Sequence, residues 1–155
     1  MPNDYIQLYV HLIWCTWDRL PLLTEDIESE VFAAIIAKCH ELKTRVIALN
    51  GVADHIHLLV ALPASLSVAK LVGQIKGASS HLIRKVLRPD KPFQWSGTYA
   101  AITVDPAAVE RVAEYIRNQK RHHAAQCLRH EWEPLEALQT PLDFQSRRMD
   151  GCSDS

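Results

Sequence analysis

Two histidines separated by one residue are the clearest candidate metal ligands in the sequence. His55 and His57 lie in the segment Asp54-His55-Ile56-His57-Leu58, and side chains two residues apart on a β-strand point to the same face of the sheet. Neutral imidazole nitrogens commonly bind divalent metal ions. The spacing therefore fits a metal site on one face of a sheet, and it also fits a pair of half-exposed histidines that bind no metal.

A tyrosine in the charged segment 114–123 is the clearest candidate nucleophile. Tyr115 and Gln119 are four residues apart, so they would share one face of a helix. A phenol is a poor nucleophile at neutral pH because its pKa is about 10, so a metal ion or a nearby base would have to activate it. The residue also fits a structural role, in which its ring packs at the edge of the apolar stripe formed by Val109, Val112 and Ile116.

The hydropathy pattern predicts the elements that must position these residues. Alternating apolar residues predict four strands, which are Tyr5 to Trp14, Arg45 to Leu49, His55 to Leu62 and Tyr99 to Val104. The dipeptide Asn50-Gly51 predicts the hairpin turn before the third strand. Capping residues and helical spacing predict three helices, which are Thr24 to about Lys43, Ser65 or Ser67 to about Val86, and Asp105 to about His123.

This order of elements, β-α-β-β-α-β-α, is that of the split βαβ, ferredoxin-like plan with one added helix. We therefore predict an α+β fold, in which two helices cover one face of an antiparallel sheet and an added C-terminal helix carries Tyr115. His55 and His57 would lie on the other, open face. Residues 1–125 would form the domain, and residues 126–155, which are acidic and irregular, would form a C-terminal tail.

Composition excludes some classes of function. The chain has 155 residues, with 17 Lys and Arg against 18 Asp and Glu, so a polybasic nucleic-acid binder is excluded although a local basic groove is not. The four cysteines match no zinc framework. No segment reaches the ~18 uncharged apolar residues of a membrane span, and the N-terminal residues lack the features of a signal peptide. We expect a cytoplasmic protein without a membrane partner.

Five segments of the chain, in this order, resemble the HUH-type single-tyrosine transposases of small bacterial insertion sequences, including their REP-associated tyrosine transposase relatives. The segments are residues 9–14, 52–60, 71–80, 95–104 and 115–119. They run from about Tyr9 to His123, which is most of the chain.

The resemblance implies a transposase that cleaves and rejoins single-stranded DNA. Tyr115 would match the nucleophile of the family and form a 5′-phosphotyrosine link. His55, His57 and Gln119 would match its metal ligands and hold Mg²⁺ or Mn²⁺ at the phosphate. The partner would be single-stranded DNA, with hairpin-forming ends of the mobile element, and the protein would act as a homodimer.

Basic residues cluster around the second predicted helix and around the tyrosine. Such side chains can bind DNA phosphates, and they equally fit solvated helix faces. The candidate DNA-binding residues are Lys70, Lys76, Arg84, Lys85, Arg117, Lys120 and Arg121.

Two other functions fit parts of the pattern. An open ferredoxin-like sheet with aromatic residues would also suit a catalytically idle module that binds single-stranded nucleic acid. A metal-dependent phosphodiesterase that uses water would need the histidines and leave Tyr115 with a structural role. A covalent adduct between protein and DNA would separate the transposase from the phosphodiesterase.

Overall fold

The computed structural model of the chain describes residues 4–124 and 132–134, and these contain a four-stranded antiparallel sheet. Its strands are β1 (Tyr9–Cys15), β2 (Arg45–Val52), β3 (His55–Ala61) and β4 (Ala100–Val104). They lie side by side in the order β2-β3-β1-β4, and each neighbouring pair is antiparallel. The strand that carries the two histidines is therefore central in the sheet.

Four α-helices complete the described part of the chain. They are α1 (Glu25–Glu41), α2 (Val68–Leu82), α3 (Val109–Arg117) and α4 (Gln119–Ala124). This arrangement confirms the predicted α+β, ferredoxin-like fold, with Tyr115 on the helix that follows β4. No helix in residues 4–124 or 132–134 has the length and apolar character that a membrane crossing requires.

The first hydrophobic core lies between the sheet and helices α1 and α2. Alternation along the two central strands directs Leu12, Trp14 and Leu58 to this face, and all three are fully buried. They belong to one cluster with Ile35 of α1 and Ile75 of α2. Burial of each such side chain contributes roughly 1.5–3 kcal/mol. This core holds the central strands together and directs the intervening residues to the opposite face.

The opposite face of the sheet is covered as well, which corrects the expectation of an open face. Val112 and Ile116 of α3 pack against Ala48 of β2 and Leu59 of β3. The physical reason is the apolar stripe of α3, because that stripe and the sheet would otherwise expose their apolar surfaces to water. The histidines of β3 are consequently buried rather than half-exposed.

The hairpin between β2 and β3 turns at Ala53 and Asp54, so the turn predicted at Asn50-Gly51 was wrong. Gly51 instead lies within β2, where a Cβ atom would stand 2.6 Å from the carbonyl oxygen of His55. The glycine therefore permits a close approach of two backbones rather than a turn. This register places Asp54 immediately before β3, next to the histidines.

The predicted single helix from Asp105 to about His123 is divided at Asn118. This residue leaves the helical conformation, with φ −98° and ψ 18°, and its side-chain amide donates to the carbonyl of Glu114. The carbonyl of Arg117, at the end of α3, accepts a hydrogen bond from Asn50 of β2 at 2.8 Å. Tyr115 and Gln119 therefore lie on successive helices rather than on one continuous helix.

Ser79→Ala should destabilise the fold because it removes the acceptor of a buried indole N–H. Trp95 Nε1 donates to Ser79 Oγ over 2.9 Å, and both residues are buried. An unpaired buried donor costs roughly 1–3 kcal/mol. We expect a loss of that size in the free energy of unfolding, measured in urea.

Ser80→Ala is the matched control, because among the described residues the Ser80 hydroxyl donates to the Gly77 carbonyl of its own helix and to no buried group. Its free energy of unfolding should change by less than about 0.5 kcal/mol. Equal values for Ser79→Ala and the wild type would contradict the assigned hydrogen bond.

Candidate metal and tyrosine site

The two histidines of β3 converge on one carboxylate. The Nε2 atoms of His55 and His57 lie 3.5 Å and 3.0 Å from Glu133 Oε2. Their ring centroids are 5.2 Å apart, and both side chains are fully buried. The strand alternation that predicted a shared face for these residues is confirmed by this geometry, and both Nε2 atoms are directed to a common point.

His55 is held through its other ring nitrogen by an acidic residue in the hairpin turn. Its Nδ1 lies 2.7 Å from Asp54 Oδ1. The other oxygen, Asp54 Oδ2, accepts from Arg19 Nε at 3.1 Å and from Arg19 Nη2 at 2.8 Å. Burial alone would lower the pKa of His55, but the hydrogen bond to Asp54 and the negative charges of Glu133 and Asp54 outweigh it and raise that pKa. The Arg19–Asp54 pair thus orients the imidazole so that Nε2 faces the site.

His57 is held in the same way by a histidine of β1. His11 Nε2 lies 2.8 Å from His57 Nδ1, and His11 is fully buried. Burial, followed by the neighbouring His57, lowers the pKa of His11 to about 3, so His11 is neutral. Because its ring can donate or accept through Nε2 according to tautomer, it can support either tautomer of His57. Sequence reasoning missed this residue, and the signal was its place on the face of β1 that alternates with the apolar residues.

The tyrosine hydroxyl reaches the same carboxylate as the histidines. Tyr115 Oη donates to Glu133 Oε1 over 2.9 Å, and the residue is buried. Its ring stacks on that of His122, with centroids 4.6 Å apart, and meets the Trp132 ring edge-on at 5.0 Å. The structure therefore brings the candidate nucleophile and the histidine pair to one point.

Gln119 is linked to the carboxylate of Glu133 indirectly, through His123. It begins α4 and is fully buried. Its Oε1 accepts from His123 Nε2 at 3.0 Å, whereas its Nε2 has no hydrogen-bond partner among the described residues. His123 Nε2 in turn lies 3.5 Å from Glu133 Oε1. The candidate third ligand is thus connected to the cluster through His123, to which the sequence analysis gave no role.

Glu133 is a residue of the candidate site that the sequence analysis did not place there. It was assigned to the acidic tail, yet its side chain is 2% exposed and contacts both histidines and Tyr115. Burial would raise the pKa of this carboxyl, but the neighbouring imidazoles of His123, His55 and His57 hold that pKa well below its usual range. The sequence signal was the adjacent Trp132, an aromatic residue between two glutamates. Residues 126–131 and 135–155 of the predicted tail lie outside the described residues.

The donor set fits a divalent metal ion. The ligand atoms of His55, His57, His123 and Glu133 all lie within 4.8 Å of one another. His55 Nε2 is buried and makes no hydrogen bond to the described residues, so a cation would satisfy it. Imidazole nitrogens and a carboxylate are ordinary ligands of divalent metals. The residues present can therefore hold a metal next to the tyrosine.

The candidate DNA-binding residues fall into two groups in opposite layers of the fold. In the layer of α2, Lys70, Arg84 and Lys85 are exposed. Lys76 in the same layer is half-buried, and its ammonium donates to the carbonyls of Ser96 at 2.5 Å and Thr98 at 3.2 Å. Burial lowers the pKa of this lysine. Lys76 thus already holds the loop before β4.

The second basic group lies near the tyrosine, on α3 and α4. Arg117 pairs with Glu110 at 3.0 Å, while Lys120 pairs with Glu28 at 2.5 Å. Arg121 is exposed. Lys120 thus reaches α1 past the β2 edge of the sheet, where Asn50 of β2 also accepts a hydrogen bond from its ammonium.

Comparisons with known proteins give consistent matches. A family model described as "Transposase IS200 like" matches residues 4–119. The ISDra2 transposase TnpA of Deinococcus radiodurans is 25% identical over 118 residues, which cover 73% of this chain and 84% of that protein.

Two solved structures share the fold. A crystal structure of a candidate transposase from Deinococcus radiodurans R1 aligns with a TM-score of 0.61 at 23% identity and covers 77% of this chain and 96% of that one. A REP-associated tyrosine transposase bound to a REP hairpin aligns with a TM-score of 0.60 at 16% identity, and the alignment covers 79% of this chain and 73% of that one. At these identities the two structures support the fold class, with its four-stranded antiparallel sheet.

Asp54→Ala should weaken metal binding without removing a ligand, because it removes the partner that orients His55. Loss of such an outer partner typically costs about 10–100-fold in metal affinity. We expect a decrease of that size for Mn²⁺, measured by isothermal titration calorimetry. Asp90→Ala, which removes an exposed carboxylate from a loop, should leave the affinity unchanged. Wild-type affinity in Asp54→Ala would show that Asp54 does not orient a metal ligand.

Proposed function

Because the chain belongs to the IS200-like transposase family, whose model matches residues 4–119, we propose that it cleaves and rejoins single-stranded DNA through a covalent link to Tyr115. Membership confirms the family resemblance drawn from the sequence. One observation carries the mechanistic proposal: a single anionic group, the Glu133 carboxylate, contacts both the Tyr115 hydroxyl at 2.9 Å and His57 Nε2 at 3.0 Å. A DNA phosphate is also an anionic group with oxygens that can contact both at once.

In the proposed reaction Tyr115 Oη attacks the phosphorus of the scissile phosphate. The bond from phosphorus to the 3′ oxygen breaks, the 3′ oxygen leaves as a hydroxyl after it takes up a proton, and the tyrosine proton passes to a base or to water. The product is a 5′-phosphotyrosine link with a free 3′-OH. Since the number of phosphodiester bonds is unchanged, attack of a 3′-OH on the link rejoins DNA without ATP.

We propose His55, His57 and Gln119 as the ligands of Mg²⁺ or Mn²⁺ in this reaction. The bound ion would polarise the phosphate and stabilise the charge that develops on it. The buried and convergent Nε2 atoms of the histidines support the first two ligands. For Gln119, the amide oxygen must exchange its present contact with His123 Nε2 for the ion.

The proposed partner is single-stranded DNA with hairpin-forming element ends. Family membership supports it, and the related REP-associated transposase was solved with a REP hairpin. We assign phosphate contacts to Lys70, Arg84 and Lys85 in one layer and to Arg117, Lys120 and Arg121 in the other, with Lys76 holding the loop beside the first group. A homodimer, a cytoplasmic location and a domain of residues 1–125 followed by a tail of residues 126–155 remain proposals that rest on the sequence.

Tyr115→Phe should abolish cleavage and the covalent adduct while it leaves DNA and metal binding intact. The substitution removes only the hydroxyl, and loss of its hydrogen bond to the Glu133 carboxylate should cost roughly 1.5–3 kcal/mol of stability. The assay is a denaturing gel of labelled single-stranded DNA from the flanks of the gene, incubated with Mn²⁺.

Tyr5→Phe is the matched control, because Tyr5 is 86% exposed. Cleavage by Tyr115→Phe at the wild-type rate would favour the phosphodiesterase that uses water. A wild-type protein that binds the DNA and cleaves none of it would favour the idle binding module.

Arg84→Glu combined with Lys85→Glu should weaken DNA binding through lost phosphate contacts. Each lost contact lowers the slope of log K against log salt by about 0.7 for single strands. The measurement is fluorescence anisotropy of a labelled hairpin over a series of salt concentrations. The double variant Lys43→Glu with Arg45→Glu makes the same change in charge at exposed positions beside β2 and should have a smaller effect. Equal salt slopes for the Arg84 and Lys85 variant and the wild type would remove these residues from the DNA surface.

A further inference from the structure

The carboxylate of Glu133 has the spacing of a metal ligand toward three imidazoles. Its oxygens lie 3.0 Å from His57 Nε2, 3.5 Å from His55 Nε2 and 3.5 Å from His123 Nε2. In a tetrahedral zinc site with bonds of about 2.0–2.1 Å, neighbouring ligand atoms are about 3.4 Å apart. The separations of His57 and His55 from one oxygen, Oε2, bracket that value. The four ligand atoms as a set lie within 4.8 Å of one another, so the side chains would have to draw closer around an ion.

We propose that His55, His57, His123 and Glu133 form a closed, four-ligand site for a Zn²⁺-class transition-metal ion. This inference rests on the proposed function for the histidine pair and adds two further ligands. His123 and Glu133 replace Gln119, so all four ligands of the ion come from the protein. The set of His55, His57 and Gln119, by contrast, leaves positions on the ion open for phosphate oxygens.

The surroundings of the histidine pair suit this assignment, whereas His123 Nε2 would have to release Gln119 Oε1 and its proton to bind the ion. The Nδ1 atoms of His55 and His57 are already engaged by Asp54 and His11, which directs both Nε2 atoms inward. Ligating histidines in proteins are commonly held through the second nitrogen in this way. The buried Nε2 of His55, which makes no hydrogen bond to the described residues, would gain a partner in the ion.

The chemistry of the donors selects the class of ion. Three imidazoles and one carboxylate are typical of Zn²⁺ and Co²⁺, whereas Mg²⁺ prefers oxygen ligands in octahedral geometry. Four protein ligands also complete a tetrahedral ion, as in structural zinc sites. Because Glu133 also accepts from the Tyr115 hydroxyl, an ion bound in this set would keep the tyrosine against the segment 132–134.

The test is a titration of the metal-free full-length chain with Co²⁺, which absorbs visible light much more strongly in four-coordinate than in six-coordinate sites. Wild type should develop the intense band with one equivalent, and Zn²⁺ should displace it. Glu133→Gln and His123→Ala should lose the band. Their loss of Zn²⁺ affinity should exceed the roughly 10–100-fold that removal of a ligand's hydrogen-bond partner causes. Glu114→Gln and His81→Ala alter exposed residues of the same types and should behave as wild type.

A second measurement is the rise in Tm caused by Zn²⁺, since an ion that binds only the folded state stabilises it. The rise should be large in the wild type and small in both ligand variants. If one variant does not fold, the other decides alone, because loss of either ligand opens the site.

The outcomes separate this inference from the proposed function. If Glu133→Gln and His123→Ala keep the wild-type band and affinity while the double variant His55→Ala with His57→Ala loses metal, the four-ligand site is refuted and the histidine pair stands. If the double variant also binds metal with the wild-type affinity, neither the four-ligand site nor the metal site proposed under the function is at the histidine pair. Loss of metal binding in all three variants supports both the four-ligand site and the histidine pair.

Discussion

A buried negative charge, the carboxylate of Glu133, organises the covered face of the sheet. A charge removed from water costs several kcal/mol unless it is paired and hydrogen-bonded. Here the Tyr115 hydroxyl and His57 Nε2 lie at 2.9 Å and 3.0 Å, and two further imidazole nitrogens lie at 3.5 Å. The segment 132–134, helix α3 and strand β3 are therefore stabilised in one arrangement, because displacing any of them leaves polar groups buried without partners.

The sheet register determines how the imidazoles face this charge. β1 pairs with β3 so that Ile13 lies opposite His57, and His11 is then one step further along the same face, within reach of His57 Nδ1. The hairpin turn places Asp54 beside His55 in the same manner. Both rings are held through Nδ1 by neighbouring side chains, that of Asp54 in the hairpin turn and that of His11 on β1. The orientation of the pair is thus a property of the folded sheet and exists before any ligand binds.

The fold and the first candidate residues could be predicted because they depend on local patterns. Alternation and helical spacing were enough for the α+β order, and the spacing of His55 and His57 was enough for their shared face. His11 could not be recognised as their partner, because the offset between two strands is set by long-range pairing. Glu133 could not be recognised either, since it is separated from His57 by 76 residues. The covered face depends on where α3 docks, and that is decided by tertiary packing.

The proposed chemistry and the closed arrangement use the same small volume, so they exclude each other. A phosphate that contacts Tyr115 and the histidines must take the place of the Glu133 carboxylate. This exchange replaces one anion by another, so the histidines keep a negative partner and the large desolvation terms nearly cancel. What remains is a competition between DNA and the Glu133 carboxylate. Because this carboxylate belongs to the same chain as the site, its effective concentration there is about millimolar or higher, as for groups joined by a short linker. If the proposed function holds, the basic residues outside the site matter to the chemistry as well as to binding, because their proposed phosphate contacts would supply the free energy by which DNA displaces Glu133.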